Sequence, residues 1–198
     1  MVRFGKIAFA ATLFFASACT QAVGATESYC TDQGHTEVRF GWSHVGISNQ
    51  TGEFTKASGK LVLDPDNVER SKLTATIDAT SVSTGYGPLD KHIKNPDFLE
   101  VETYPKITFV STSVKKTGDK TADVVGDLTL HGVTKPVTFK TTITHRGPHP
   151  LGKRLDYYKG QWAAFSATTK IDHRSFKIGK FSTGPIAISI VTEMKECK

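Results

Sequence analysis

His35-Thr36-Glu37-Val38-Arg39-Phe40-Gly41-Trp42-Ser43-His44-Val45 places Val38, Phe40 and Trp42 on one side of an extended chain and Glu37, Arg39 and Gly41 on the other. Successive side chains of a strand point to opposite faces, so this period of two marks a strand with one buried face. The pattern recurs along the chain. Thr51-Gly52 opens a second run through Phe54 to Leu63, closed by the strong turn signal Asp64-Pro65-Asp66-Asn67. Val68 to Val82 sets Leu73, Ala75, Ile77 and Ala79 on one face. Gly85 to Tyr104 breaks the rhythm, and Asp90-Lys91-His92-Ile93-Lys94 reads there as a short helix capped by Asp90 and stopped before Pro96. Strands then resume over Lys106–Lys115, Ala122–His131, Lys135–His145, Gly160–Asp172 and Gly184–Lys195. Long amphipathic helices are missing, and threonine, a good strand residue, is abundant. About eight antiparallel strands with one or two short helices predict an all-β up-and-down barrel or a sandwich.

The N-terminus sets the expected compartment. Arg3 and Lys6 precede an uncharged apolar run from Ile7 to Ala18, and Val23-Gly24-Ala25 supplies the small residues that signal peptidase prefers. This predicts a signal peptide over 1–25, one domain over 26–198, and a periplasmic or secreted location. A competing reading takes Ala16-Ser17-Ala18-Cys19 as a lipoprotein box with Cys19 lipidated, although Ala16 stands where such boxes usually carry Leu. The chain has 25 basic and 19 acidic residues, a net +6 that falls to +4 once Arg3 and Lys6 leave. No dense basic run appears, which excludes nucleic acid as a natural partner and leaves transient contact with anionic membrane surfaces open. Edge-to-edge homodimers suit barrels in general, and nothing in the sequence specifies one.

Cleavage after Ala25 leaves Cys30 and Cys197, at opposite ends of the domain. An even count in an exported chain points to a disulfide, the alternative being two unpaired thiols. Such a bond requires the first and last strands to be neighbours, and a closed sheet makes them so. The terminal cysteines therefore favour the barrel over the sandwich.

Two central stretches resemble the signature of the YceI-like family. They are Asp90-Lys91-His92-Ile93-Lys94-Asn95-Pro96-Asp97-Phe98-Leu99 with Tyr104-Pro105-Lys106-Ile107-Thr108-Phe109-Val110-Ser111, and Val125-Gly126-Asp127-Leu128-Thr129-Leu130-His131-Gly132-Val133-Thr134-Lys135-Pro136-Val137. Val38-Arg39-Phe40, His44-Val45-Gly46 and Gly52-Glu53-Phe54 are similar to the family's first hairpin. Ile171-Asp172-His173-Arg174-Ser175-Phe176-Lys177-Ile178-Gly179 is similar to its last loop. Leu99 and Lys177 depart from the pattern, which commonly has an aromatic and a glycine there, and the two cysteines lie outside it. The resemblance implies an exported, lipocalin-like antiparallel barrel that binds a polyisoprenoid or isoprenoid-quinone-like lipid. If the source is bacterial, as the resemblance implies, Asn49-Gln50-Thr51 is a turn and no glycosylation site.

The residues support a greasy interior independently. A barrel of eight strands is either filled by side chains or holds one small ligand. The alternating apolar residues Phe40, Trp42, Phe54, Leu61, Leu73, Ile77, Phe109, Leu128, Leu130, Phe139, Phe165, Ile188 and Ile190 are the candidate lining, with Phe98 and Phe176 closing the ends. A prenyl tail needs only a dry wall, so no cofactor and no metal are expected.

Enzyme readings find less support. Asp90, His92, Ser81, Ser83 and Ser111 permit a hydrolase acting on a lipid-like substrate, the alternative to a carrier. Yet no Gly-x-Ser-x-Gly elbow occurs, and helix positions i and i+2 diverge. His92 is then a residue of the loop or barrel mouth. Among the seven histidines, His145 and His149 are separated by Arg146-Gly147-Pro148 and could hold a metal adventitiously, but they read as solvated loop residues. Arg174 either meets a ligand head group at the mouth or ties down its own loop by donating to backbone carbonyls. The sequence thus predicts a binding protein, not an enzyme.

Overall fold

The computed structural model describes residues 25–179 and 184–198. The proposed leader through residue 24, including the candidate lipidation residue Cys19, lies outside the described residues. Among the described residues ten strands run in chain order: β1 (Glu27–His44), β2 (Ser48–Phe54), β3 (Ala57–Leu63), β4 (Lys72–Asp78), β5 (Val82–Ser83), β6 (Lys106–Lys116), β7 (Thr121–Leu130), β8 (Val133–Pro148), β9 (Gln161–Ile171) and β10 (Ile186–Glu196). Every pairing is antiparallel. Eight strands close a ring in the order β1-β3-β4-β6-β7-β8-β9-β10, and β10 pairs back onto β1. The barrel is therefore right and the sandwich is excluded. β2 and β5 form a flap attached to the upper half of β1.

β1 is long because it serves two neighbours. Glu27–Cys30 pair with Leu63–Lys60 of β3, whereas Val38–His44 pair with Phe54–Ser48 of β2. Between these stretches residues 32–35 bulge out of the ladder with β10. Local hydrogen bonds make up for the lost pairing: the Asp32 carboxylate accepts from the Gly34 N–H at 2.8 Å. The Gln33 amide donates to the Thr55 carbonyl at 3.2 Å and accepts from the Ala57 N–H at 2.9 Å. A bulge of this kind bends the strand and lets it change partners. Cys30 and Cys197 form the expected disulfide, with Cα atoms 5.2 Å apart, across the β1–β10 seam that closes the cylinder.

The helix, α1 (Gly87–Lys94), begins three residues earlier than its charge pattern suggests. Pro88 occupies the first turn, where a missing N–H costs nothing. Asp90 is not its cap, because Tyr86 holds that position without a side-chain hydrogen bond. The Asp90 carboxylate instead accepts from the Thr84 N–H at 2.7 Å and the Thr84 hydroxyl at 2.6 Å, pinning the entry loop. Those bonds, led by the hydroxyl, hold its pKa below the ordinary aspartate value. Val68 to Val82 is likewise not one strand: 3-10 turns over Val68–Arg70 and Ala79–Ser81 flank β4. Asp64 shapes the turn before it, accepting from the N–H groups of Asp66 and Asn67 and facing Arg70 at 3.3 Å.

Candidate functional site

Inside the ring lies a chamber of about 1000 Å³. Its wall is the period-two pattern made solid. β4 contributes Leu73, Ala75 and Ile77, β7 contributes Val124, Leu128 and Leu130, and β10 contributes Ile186, Ile188 and Ile190. Phe40 and Trp42 of β1, Phe54 of β2, Leu61 of β3, Phe109 of β6, Phe139 of β8 and Phe165 of β9 also border it. Bulges between Ser111 and Ser113 of β6 and between Ile143 and His145 of β8 shift the alternation part way up those strands. That shift places Val114 on the wall beyond the β6 bulge. Val38, Leu63, Ile107, Ile143, Ile171 and Met194 line the chamber too, as the alternation would have indicated had it been followed through every strand, and Ile178 joins them from the loop after the His173–Phe176 turn.

Two glycines set the aromatic arrangement. A Cβ at Gly126 would overlap the Phe109 ring, and one at Gly52 would fall 2.5 Å from Cζ of Phe40. The tips of both rings therefore occupy space that any side chain at these two positions would need. Phe109 meets Phe139 edge-on at 5.2 Å between centroids, while Phe40 stacks on Trp42 at 5.7 Å and tilts against Phe54 at 5.3 Å. Such offset and edge-to-face contacts are the favoured aromatic geometries.

One end of the barrel carries α1, the 95–105 loop and the 3-10 turn His173–Phe176. His92 and Phe98 face each other at 4.9 Å and both line the chamber. His173 lines it as well and is buried, although the sequence reading passed it over in favour of Arg174. Arg174 is exposed and forks onto Asp172, with Nε 3.0 Å from Oδ1 and Nη2 3.3 Å from Oδ2. This pairing, and not bonds to backbone carbonyls, occupies the guanidinium and holds the Asp172 carboxyl below its ordinary pKa. Phe176 does not border the chamber. It is buried in the surrounding apolar core, and its carbonyl accepts from Nδ1 of His131 at 3.2 Å.

At the opposite end the turns around 65–72 and 116–121 border the chamber, beside a packed apolar cluster. Tyr29, Leu61, Leu63, Ala163 and Met194 form a second apolar cluster, and the Tyr29 hydroxyl donates to Glu27 at 2.8 Å. Burial, then the bond to Glu27, push the Tyr29 pKa up to about 12. A strap over 149–158 covers Trp162, which is 1% exposed. His149 belongs to that strap and is not a solvated loop residue: it stacks on Tyr158 at 4.2 Å, and its Nε2 lies 3.7 Å from Glu193. His145 is a residue of β8, with Nε2 3.3 Å from the Gly147 carbonyl. Asn49-Gln50-Thr51 lies in β2, paired with Ser43, Trp42 and Gly41, and the turn falls at Val45 and Gly46, both at positive φ.

Three of the residues weighed for a Ser-His-Asp arrangement are engaged elsewhere. The Asp90 carboxylate serves Thr84, the buried Ser111 hydroxyl accepts from the Leu73 N–H at 2.8 Å, and the Ser81 hydroxyl donates to the Asp78 carbonyl at 2.6 Å. Among the described residues no group of three or more His, Cys, Asp or Glu is placed to hold a metal ion.

Fold and chamber together define a lipocalin-like antiparallel barrel enclosing an apolar cavity. The sequence pattern of the YceI-like domain matches residues 29–195, and this chain belongs to that family. A UPF0312 protein of Pseudomonas putida is 43% identical over 158 residues, covering 80% of this chain and 79% of that one. A YceI protein of Campylobacter jejuni is 25% identical with a TM-score of 0.69, over 94% of this chain and 99% of the other. A domain from Saccharophagus degradans, described as polyisoprenoid binding and implicated in plant cell wall breakdown, superimposes with a TM-score of 0.63 at 14% identity, over 87% and 100% of the two chains.

Proposed function

We infer that this chain is a periplasmic carrier or reservoir that sequesters a polyisoprenoid or isoprenoid-quinone-like lipid within its barrel, without covalent chemistry or a cofactor. The observation that carries the reading is the apolar chamber of about 1000 Å³. Ligand pockets span roughly 300–1000 Å³, so this one has the capacity for a long chain. An eleven-residue strand such as β9, tilted as barrels require, stands about 25 Å tall and accommodates several isoprene units end to end. Burying three five-carbon units contributes on the order of 10 kcal/mol before ordering costs, at about 0.8 kcal/mol per CH₂. The likeness to a polyisoprenoid binding domain supports the ligand class.

Exchange of cargo at a membrane surface belongs to the same reading. The β1–β2 hairpin exposes Val45 and Ile47, the latter 81% accessible, and Val45 and Tyr86 both border the chamber. An apolar tip at the rim of a lipid site is suited to touching a bilayer.

Native mass spectrometry of purified protein, with extraction of the retained lipid, tests the carrier. One prenyl lipid per chain, recovered chemically unchanged, is the expected result. Turnover of a lipid substrate that is lost in His92→Ala would establish the hydrolase instead.

A further inference from the structure

Of the polar side chains that border the chamber, His173 holds a buried ring nitrogen, Nε2, whose pairing is incomplete. Nδ1 of the same ring lies 2.6 Å from the Ile178 carbonyl oxygen. A carbonyl only accepts, so Nδ1 carries the hydrogen, and in the neutral ring Nε2 is left as a bare lone pair. That atom is buried and has no hydrogen-bond partner among the described residues. The surrounding wall is apolar: Phe98, Ile171, Ile178 and Ile186 all line the chamber with it. Roughly nine in ten buried polar groups in folded proteins are hydrogen-bonded, and an unsatisfied one beside an open chamber calls for a partner. The short turn fixes the ring, because the Asp172 carboxylate accepts from the Arg174 N–H and the Ile178 N–H returns to the His173 carbonyl.

We propose that His173 is the head-group contact of the chamber, its Nε2 accepting a hydrogen bond from a hydroxyl-terminated prenyl ligand. The assignment rests on the carrier reading and narrows it. A hydroxyl, whether of a prenyl alcohol or of a prenylated hydroquinone, supplies the missing hydrogen. An ether or a quinone carbonyl brings a second lone pair and does not.

Competition binding compares farnesol with farnesyl methyl ether, and a prenylated hydroquinone with its oxidised quinone. The hydroxyl compound of each pair binds at least tenfold more tightly, and the larger ratio identifies which source the site favours. His173→Asn keeps a donor for the Ile178 carbonyl while removing the Nε2 position, so it retains ether binding and abolishes the preference. Long-range ¹H–¹⁵N spectra of the unaltered protein give an independent readout, in which farnesol moves the His173 Nε2 resonance and the ether leaves it in place. Equal affinity within both pairs overturns the assignment and leaves the carrier intact. Failure of all four compounds to bind overturns both.

Discussion

Removing the Cys30–Cys197 bond, by replacing both residues with serine, isolates what closure of the cylinder contributes. The bond spans 167 residues. On the chain-entropy relation, a loop of that size removes about 17 cal/mol/K from the unfolded ensemble, or about 5 kcal/mol at 25 °C. The native state has little to lose, since β1 and β10 already pair from Tyr29–Glu196 to Gly41–Ala187. The stabilisation therefore acts almost wholly through the unfolded chain. For a domain of this size, about 5 kcal/mol corresponds to a fall in Tm of roughly 10–20 °C. The urea m-value rises at the same time, because the unlinked chain expands further and exposes more surface. Paired urea and thermal unfolding of the two forms, followed by near-ultraviolet circular dichroism, measures both quantities. An unfolding free energy that falls by less than about 1 kcal/mol, with m unchanged, refutes the reasoning.

Asp32 gives a pH-dependent prediction. Burial works against its charge, but hydrogen bonds from the Tyr157 hydroxyl and the Gly34 N–H outweigh it and hold the carboxyl below its ordinary pKa. Its stabilisation is present above the unfolded-state value near pH 4 and is lost as pH falls through the lower folded value, so Asp32→Asn flattens the acid limb of a plot of urea midpoint against pH. Gly126→Ala forces a methyl into the Phe109 ring and the Val110 carbonyl, and costs about 1–3 kcal/mol in denaturant unfolding while reducing lipid capacity. Ala167→Trp projects an indole into the chamber and weakens prenyl-lipid binding at least tenfold with Tm held or raised, read by lipid retention and thermal unfolding.

Much of the wall was legible because strand periodicity is a local property. Leu73, Ala75 and Ile77 alternate, and any strand containing them presents all three to one side. The alternation stopped being a guide at bulges, where one extra residue reverses the faces beyond Ser111 on β6 and beyond Ile143 on β8. Phe176 and His149 were misplaced for another reason. Phe176 ends a short 3-10 turn and His149 caps another, neither with a period, and their burial comes from residues distant in sequence, Phe176 among the apolar core and His149 against Tyr158, Trp162 and Glu193.

His173 shows the same limit at the site itself. In the sequence it stands beside Arg174, whose permanent charge draws attention first. The backbone turn aims the arginine at Asp172 and solvent, and the histidine at the chamber.

The amino-acid order by itself determined most of the strands, the antiparallel class and much of the apolar lining, and it pointed to the disulfide, because these follow from alternation, turn chemistry and residue counts over short windows. Only the tertiary structure decided that eight of ten strands close the ring, that β1 changes partners at its bulge, and that the enclosed space stays open at about 1000 Å³. Those outcomes depend on side-chain volumes meeting across strands far apart in the chain, a sum that no local pattern contains.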